Sequence, residues 1–423
     1  LVDTGVDITV SSNGSATINY YVLTLNKGTG IGSVTGAATY LSNQSASINA
    51  TASAGYTWSR WTVTTGNTPA ITMAASTTVL TSKATTLTAN ATINTYTISY
   101  TLNGGTVATS NPTSYTVEDT FTLNNPTKTG YTFLGWTGTG LSSATKSVKI
   151  TKGSTGNRTY TATWTMIDVD FPSTWKIEIN SSKYLGSNTI SHADITSIRF
   201  EKTVPSGYTV NAGKLSTGIL VYRNGTNIAF VWSKTIYAPT DSSFLFGGMN
   251  SSASLSSATS IHFNNFNTSK VTSMEGMFSY CTKLTSLDIS NFDTSNVTDM
   301  NGMFYYCSTL TGLDLSNFNT GKVNNMGGMF SECSGLTSLK LSGFNTSSVT
   351  NMKLMFFNCS SLTVLDLSSF NMTKVTDTDM LTNCTAFTEL KTPKNVSVSV
   401  TLPKTMYDYD DYSVRTTLPT GLS

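Results

Sequence analysis

Five cysteines lay a ruler along this chain. They stand at Cys281, Cys307, Cys333, Cys359 and Cys384, spaced 26, 26, 26 and 25 residues apart. A disulfide framework normally has an even number of cysteines at irregular intervals. An odd number at a fixed interval means that each cysteine fills the same slot of a structural repeat. The other slots keep the period. Phe266, Phe292, Phe318, Phe344 and Phe370 recur with it, and Val271, Val297, Val323, Val349 and Val375 follow each of them. Then come the pairs Met274/Met277, Met300/Met303, Met326/Met329 and Met352/Met355, each followed at once by Phe278, Phe304, Phe330 or Phe356. Leu284, Leu310, Leu336 and Leu362 come after the cysteines. The period closes on Leu287-Asp-Ile289, Leu313-Asp-Leu315, Leu339-Lys-Leu341 and Leu365-Asp-Leu367.

These slots predict local structure. Leu-x-Leu alternation puts two side chains inward and one outward on a short strand. Met-x-x-Met-Phe is one face of a short helix, and Thr272-Ser-Met-Glu275 has capping-box form. One coil cannot bury its own apolar face, so the coils must stack. Strands stack at ~4.8 Å, so five or six coils give a solenoid of roughly 25–30 Å. The fifth coil departs from the pattern: Thr378 takes the first Met slot and Met380-Leu381 replaces Met-Phe. A degenerate coil precedes the array, with Leu255, Ile261 and Phe263 in the Cys, Leu and Ile slots. Both ends read as caps. The cysteines read as a buried column of small apolar side chains. Disulfides between adjacent coils are the alternative, since stacked strands lie within bridging range.

The stretch "FNTSKVTSMEGMFSYCTKLTSLDIS" and its later copies resemble the bacterial surface-protein 26-residue repeat, in the BspA-like branch of leucine-rich repeats. The lead-in "KTIYAPTDSSFLFGG" resembles the segment preceding such arrays. The resemblance covers about 200–423. It implies a right-handed solenoid on a bacterial surface protein and brings no catalytic residues.

The N-terminal half also repeats. Leu23-Thr-Leu-Asn26, Gly55-Tyr56-Thr-Trp58-Ser-Arg-Trp61 and Leu87-Thr-Ala-Asn90 return as Tyr100-Thr-Leu-Asn103, Gly130-Tyr131-Thr-Phe133-Leu-Gly-Trp136 and Tyr160-Thr-Ala-Thr-Trp164. Thr alternating with apolar residues predicts half-buried strands in both modules. Asn103-Gly104 is a turn signal. Tyr131, Phe133 and Trp136 are expected to build a small core, with carbohydrate stacking as their alternative role. "YTISYTLNGGTV", "NPTKTGYTFLGWTGTG" and "GSTGNRTYTATW" closely resemble the Listeria–Bacteroides repeat, the internalin-type B repeat. Residues 22–94 resemble a divergent copy. The family implies a small β-grasp-like spacer module.

The expected fold is mainly β and multidomain. Residues 1–21 are a leading strand or the end of a preceding module, and 22–94 and 95–165 are two β modules. Residues 166–265 form a β connector and N-terminal cap, 266–390 the solenoid with its short helices, and 391–423 a C-terminal cap or tail. Strands are expected around "FPSTWKIEI" and "DITSIRFE". "ILVYRNGTNIAFVW" reads as a hairpin turning at Asn224-Gly225.

Chemistry is sparse. Charged residues are 11% of the chain and net charge is +2. Without a Lys/Arg stripe to neutralise phosphates, no nucleic-acid partner is expected. No apolar run reaches the ~20 residues of a membrane span. The two histidines, His192 and His262, lie far apart with no cysteine beside them, so no metal or cofactor site is expected. Gly28-Thr-Gly30-Ile-Gly32 lacks the following helix that a phosphate loop needs, and reads as a β-turn. "YDYDDY" at 407–412 lacks the glycine and spacing of a calcium loop and reads as a solvated tail. No Ser/His/Asp set or paired carboxylates stand in a catalytic context, so the chain is expected to be non-enzymatic.

What remains is surface. Outward on the strand face stand Asp288, Asp314, Lys340, Asp366 and Lys391. They read either as a charge-compensated ladder or as a partner-binding face. The two positions before each Cys vary most: Ser279-Tyr280, Tyr305-Tyr306, Ser331-Glu332 and Phe357-Asn358. Variation in a fixed frame, rich in Tyr, suits a recognition surface. It equally suits free solvent positions. Candidate binding residues are thus Tyr280, Tyr305, Tyr306, Phe357, Asp288, Asp314, Lys340 and Asp366. The expected function is an adhesin at the bacterial surface, its β modules a stalk and its solenoid a head for a host or neighbouring-cell protein or glycan. The alternative is a structural subunit that pairs with copies of itself in an extracellular filament, surface layer or phage fibre.

Overall fold

A computed structural model of the protein describes residues 8–176, 191–376, 379–396, 400–407 and 414–418. The structure is mainly β, in several small sheets. Among the described residues, helical structure is confined to short pieces such as His192–Asp194 and Ser251–Ala253. The chain divides into two compact units, Leu1–Thr165 and Met166–Ser423.

The first unit holds two modules built alike. In the first, a four-stranded sheet runs in the order Ala38–Leu41, Tyr20–Lys27, Thr85–Ile93, Tyr56–Thr65. In the second the order is Ser114–Thr116, Thr95–Thr101, Arg158–Met166, Tyr131–Gly138. Both centre on a parallel pair, with Leu25 opposite Leu87 and Tyr100 opposite Tyr160. Shared strand order is what a tandem duplication produces. The turn read at Asn103-Gly104 is present, both residues having positive φ (50° and 80°). Gly28 to Gly32 form a turn running into the strand Ile31–Thr35, as expected. At the leading end, Ile8–Val10 pairs antiparallel with Ala16–Ile18.

Each module closes over one tryptophan. Trp61 is buried with Leu23, Ile48, Val79 and Leu87; Trp136 is buried with Ile98, Tyr115, Ile150 and Tyr160. Trp58 meets Trp61 edge-on at 5.5 Å, and Phe133 meets Trp136 the same way at 5.6 Å. The expected trio is therefore only partly right. Trp136 is core and Phe133 flanks it, but Tyr131 lies at the margin, with the Lys128 amine 4.0 Å over its ring. Burying a phenol needs a partner for its hydroxyl. The buried tyrosines here are Tyr115, whose hydroxyl donates to the Gly156 carbonyl, and Tyr160, whose hydroxyl accepts from Arg158.

The second unit begins with a five-stranded sheet ordered Val210–Lys214, Leu220–Asn224, Asn227–Val231, Ser197–Glu201, Ser260–His262. The expected hairpin is present, but Asn224 pairs with Asn227, so Gly225-Thr226 make the turn. Ser197–Glu201 lies parallel to both of its neighbours, joining the hairpin to the degenerate first coil. Phe200 stacks against Phe230 and Phe263 at 5.3 and 5.8 Å and meets Phe266 at a tilt at 4.4 Å. Residues 171–176 of the expected "FPSTWKIEI" strand are turn and short helix, and 177–179 fall outside the described residues.

Successive 26-residue repeats hydrogen-bond in parallel. Gly312–Asp314 pairs with Ser338–Lys340, and Val364–Asp366 with Glu389–Lys391. A further column of bridges runs Asp241, Ser273, Asp299, Asn325, Asn351. The Val, Met, Phe and Cys slots are buried, and Phe278, Phe304, Phe330 and Phe356 stack at 5.6, 5.6 and 5.5 Å. The odd fifth repeat continues the core with Met380, Leu381 and Phe387; its Thr378 lies outside the described residues. At the C-terminal end, Val400–Tyr407 pairs antiparallel with Val414–Leu418. The acidic residues of "YDYDDY" also lie outside the described residues.

The short helices expected at Met-x-x-Met-Phe are absent. Instead, every second N–H of that segment donates to the next repeat. Met274 donates to the Asp299 carbonyl at 2.9 Å, Gly276 to Asn301 at 2.8 Å, Phe278 to Met303 at 2.9 Å and Tyr280 to Tyr305 at 2.8 Å. Gly276 and Tyr280 have φ of 55° and 59°. A right-handed helix cannot pass through such left-handed residues. The capping box goes with the helix: the Thr272 hydroxyl donates to the Thr240 carbonyl, in the turn before it.

The cysteines are free and buried. That excludes the disulfide alternative. Each thiol points at a carbonyl of the preceding repeat: Cys307 at Phe278 (3.2 Å), Cys333 at Phe304 (3.1 Å), Cys359 at Phe330 (3.1 Å) and Cys384 at Phe356 (3.0 Å). The slot therefore wants a small apolar side chain that is also a weak donor.

Candidate binding surface

Each of the first four repeats carries two left-handed residues, four apart. The first slot is Gly276, Gly302, Gly328 and then Leu354, with φ of 55°, 58°, 58° and 55°. The second is Tyr280, Tyr306, Glu332 and Asn358, with φ of 59°, 60°, 65° and 58°. Glycine and asparagine adopt this conformation readily; tyrosine, glutamate and leucine do so at a cost. The inter-repeat ladder holds them there, with Tyr306 N–H on the Ser331 carbonyl and Glu332 N–H on the Phe357 carbonyl.

The structure gathers three of the candidate tyrosines. Tyr280 stacks on Tyr306 at 5.0 Å and meets Tyr305 edge-on at 5.4 Å; Tyr305 and Tyr306 lie 6.0 Å apart. Burial and a hydrogen bond to Tyr280 push the Tyr305 hydroxyl above its ordinary pKa, so it stays a donor at neutral pH. Tyr280 and Tyr305 wall a groove of about 290 Å³. Its floor includes Gly276, Gly302, Gly327 and Gly328, and Phe244 and Met249 stand at its lead-in end. Tyr306 and Phe357 do not line it. The Phe357 side chain is half-buried.

The groove's polar groups are Glu275, Asn301 and Ser279. The lead-in is fixed from behind by Lys176, whose ammonium donates to the carbonyls of Phe244 (2.9 Å), Ala253 (3.3 Å) and Gly247. Burial pulls that amine down to about 8. The sequence reading missed the glycine floor, Glu275, Asn301, Phe244 and Met249. One signal was available: a glycine inside an apparent helix motif, in "MEGMF", "MNGMF" and "MGGMF", asks for a packing or backbone reason.

The charged column is separate from that groove. Lys340 pairs with Asp314 at 2.8 Å and Lys391 with Asp366 at 3.0 Å, all four side chains about half or more exposed. Asp288, Asp314 and Asp366 each also accept from the N–H and hydroxyl of the serine two residues on. Those serine bonds hold Asp288 and Asp366 below the usual carboxylate range, and at Asp314 the Lys340 ammonium adds the largest pull. Asp288 lines a second cleft of about 240 Å³ with His262, Asn264 and Ser290. No cluster of three or more His, Cys, Asp or Glu able to hold a metal occurs among the described residues. No described helix is long and apolar enough to cross a membrane.

Family models match three parts of the chain. Residues 21–95 match the divergent InlB B-repeat domain and 96–163 the Listeria-Bacteroides repeat domain. The 26-residue repeats match the family described as Mycoplasma protein of unknown function, DUF285, over 245–339 and 312–412, rather than a BspA-like leucine-rich array. No curated protein and no solved structure matches the chain. The chain thus carries two tandem B-repeat-type modules, of a kind typical of bacterial surface or secreted proteins, ahead of a second repeat array.

Proposed function

We propose that this is a non-enzymatic adhesin of the bacterial surface. Residues 266–390 act as its binding head and the two B-repeat-type modules as a spacer. The parallel ladder between repeats and the buried Val, Met, Phe and Cys columns support a solenoid for the head. The observation that carries the reading is the groove: Tyr280, held in a costly left-handed conformation, and Tyr305 beside it wall a glycine floor, at the positions where the repeats vary most. Residues held in costly conformations concentrate where a protein acts on something.

The test uses the purified chain on host or neighbouring cells. Tyr305→Ser with Tyr306→Asn should abolish adhesion, and Lys340→Glu should weaken it, with the thermal unfolding midpoint preserved. Ser331 and Asn358 already occupy the two tyrosine slots in other repeats, so the fold tolerates these residues. Adhesion that survives all three changes places binding elsewhere. Filaments or rings of purified protein under the electron microscope would favour a structural subunit instead.

A further inference from the structure

The groove contains its own clue to what fits it. A Cβ built on Gly276 would lie 2.3 Å from the Phe244 ring, so that glycine has a flat ring lying over it. The same slot one and two repeats on, at Gly302 and Gly328, is uncovered. A Cβ there would come no closer than 3.6 Å to Tyr305 and 3.8 Å to Ser331, each only its own neighbour in the chain. All three glycines line one groove. Its floor is therefore a row of ring-sized seats at the repeat spacing of ~4.8 Å: Phe244 fills the first, and the next two stand open beside Tyr280 and Tyr305.

The lining selects the chemistry of the occupant. No lysine or arginine lines the groove, and Glu275 is its one carboxylate. Nothing there offsets the desolvation of an anion. The floor's backbone is already satisfied. Gly302 N–H donates to the Gly327 carbonyl (2.8 Å) and Gly328 N–H to Lys353 (2.7 Å). The carbonyls of Gly302 and Gly328 accept from Tyr305 and Ser331 (2.9 and 3.0 Å). An extended peptide that adds by main-chain hydrogen bonds has no free edge to use. The Ser279 hydroxyl is spent on Gly248, donating to its carbonyl at 2.6 Å and accepting from its N–H at 3.1 Å. That leaves the Tyr280 and Tyr305 rings and hydroxyls and the Glu275 carboxylate with the Asn301 amide that donates to it at 3.4 Å, which serve a ligand made of rings that carry hydroxyls.

We propose that this groove binds a short neutral oligosaccharide, with successive sugar rings seated over Gly302 and Gly328 and flanked by Tyr280 and Tyr305. The inference rests on the reading of the repeats as a binding head, and names the ligand class of that head.

The test is a printed array of neutral, sulfated and sialylated glycans, followed by calorimetric titration with the best-retained neutral tetrasaccharide. Gly302→Leu fills a seat with the residue that Leu354 already places in that slot. Tyr305→Ser removes the wall and uses the residue of two sister repeats. Each should lower affinity about tenfold or more, while Phe357→Ser, outside the groove, should stay within about twofold. Retention of no neutral glycan, preference for the anionic ones, or binding unmoved by both groove variants overturns the proposal. Cell adhesion lost in Lys340→Glu but intact in Gly302→Leu would sink the saccharide inference and leave the binding head standing. Saccharide binding without cell adhesion would do the reverse.

Discussion

A buried thiol near a chain of aromatic rings must stay neutral. Desolvation pushes Cys281, Cys333 and Cys384 up to about 12, and Cys307 and Cys359 well above the ordinary thiol value. Unfolding returns each to about 8.5. Above that pH the unfolded chain holds fewer protons than the folded one, so stability falls as pH rises. The contribution of the cysteines is fully present below about pH 8.5 and is lost progressively toward about pH 12. Guanidinium midpoints measured from pH 7 to 10 should decline, and less steeply in Cys333→Ser, which keeps a hydroxyl donor toward Phe304. A thiol reagent at pH 8 should label none of the five cysteines in the native protein and all of them once unfolded. Labelling of the native protein would show that the column is not closed.

At the scale of the element, the Met-x-x-Met-Phe segment shows what a sequence leaves open. The period and the buried slots were legible, because burial repeats with the interval, and so was the strand at Leu-x-Leu in the three repeats after the first; the expected strand at Leu287-Asp-Ile289 does not form. The ladder was not. A three-and-four spacing of apolar residues fits a helix, and it fits equally a coil turned by two left-handed residues. Gly276, Gly302 and Gly328 mark the second solution, whereas Leu354 hides it. The tyrosine cluster was half legible: Tyr280, Tyr305 and Tyr306 stood out by variation, but the glycine floor beside them needs a backbone to be seen. Leu354 also yields a prediction. A left-handed L-residue costs about 1–2 kcal/mol, part of which its half-buried side chain offsets. Leu354→Gly should therefore raise stability by about 0.5–1 kcal/mol, read as an upward shift of the denaturant midpoint at unchanged slope. A downward shift would mean that the side chain's packing outweighs the strain.

For the whole molecule, two compact units with separate cores predict two separable melting events. Substitutions can assign them. Trp136 lies in the first unit, and its indole N–H donates to Asn125 at 3.1 Å. Trp136→Phe leaves that amide without its donor and thins the core, at a cost of about 1–3 kcal/mol for the polar group alone. Trp61 is equally buried in the sister module, but among the described residues its indole N–H has no hydrogen-bond partner. Trp61→Phe removes a buried donor with nothing to lose but volume, so it should cost less than Trp136→Phe. In a calorimetric scan both changes should lower the transition of the first unit and leave the other in place. Leu354→Gly should raise the transition that they leave alone. If either tryptophan change moves both transitions together, the units do not unfold independently, and the B-repeat modules are part of the head's stability rather than a spacer ahead of it.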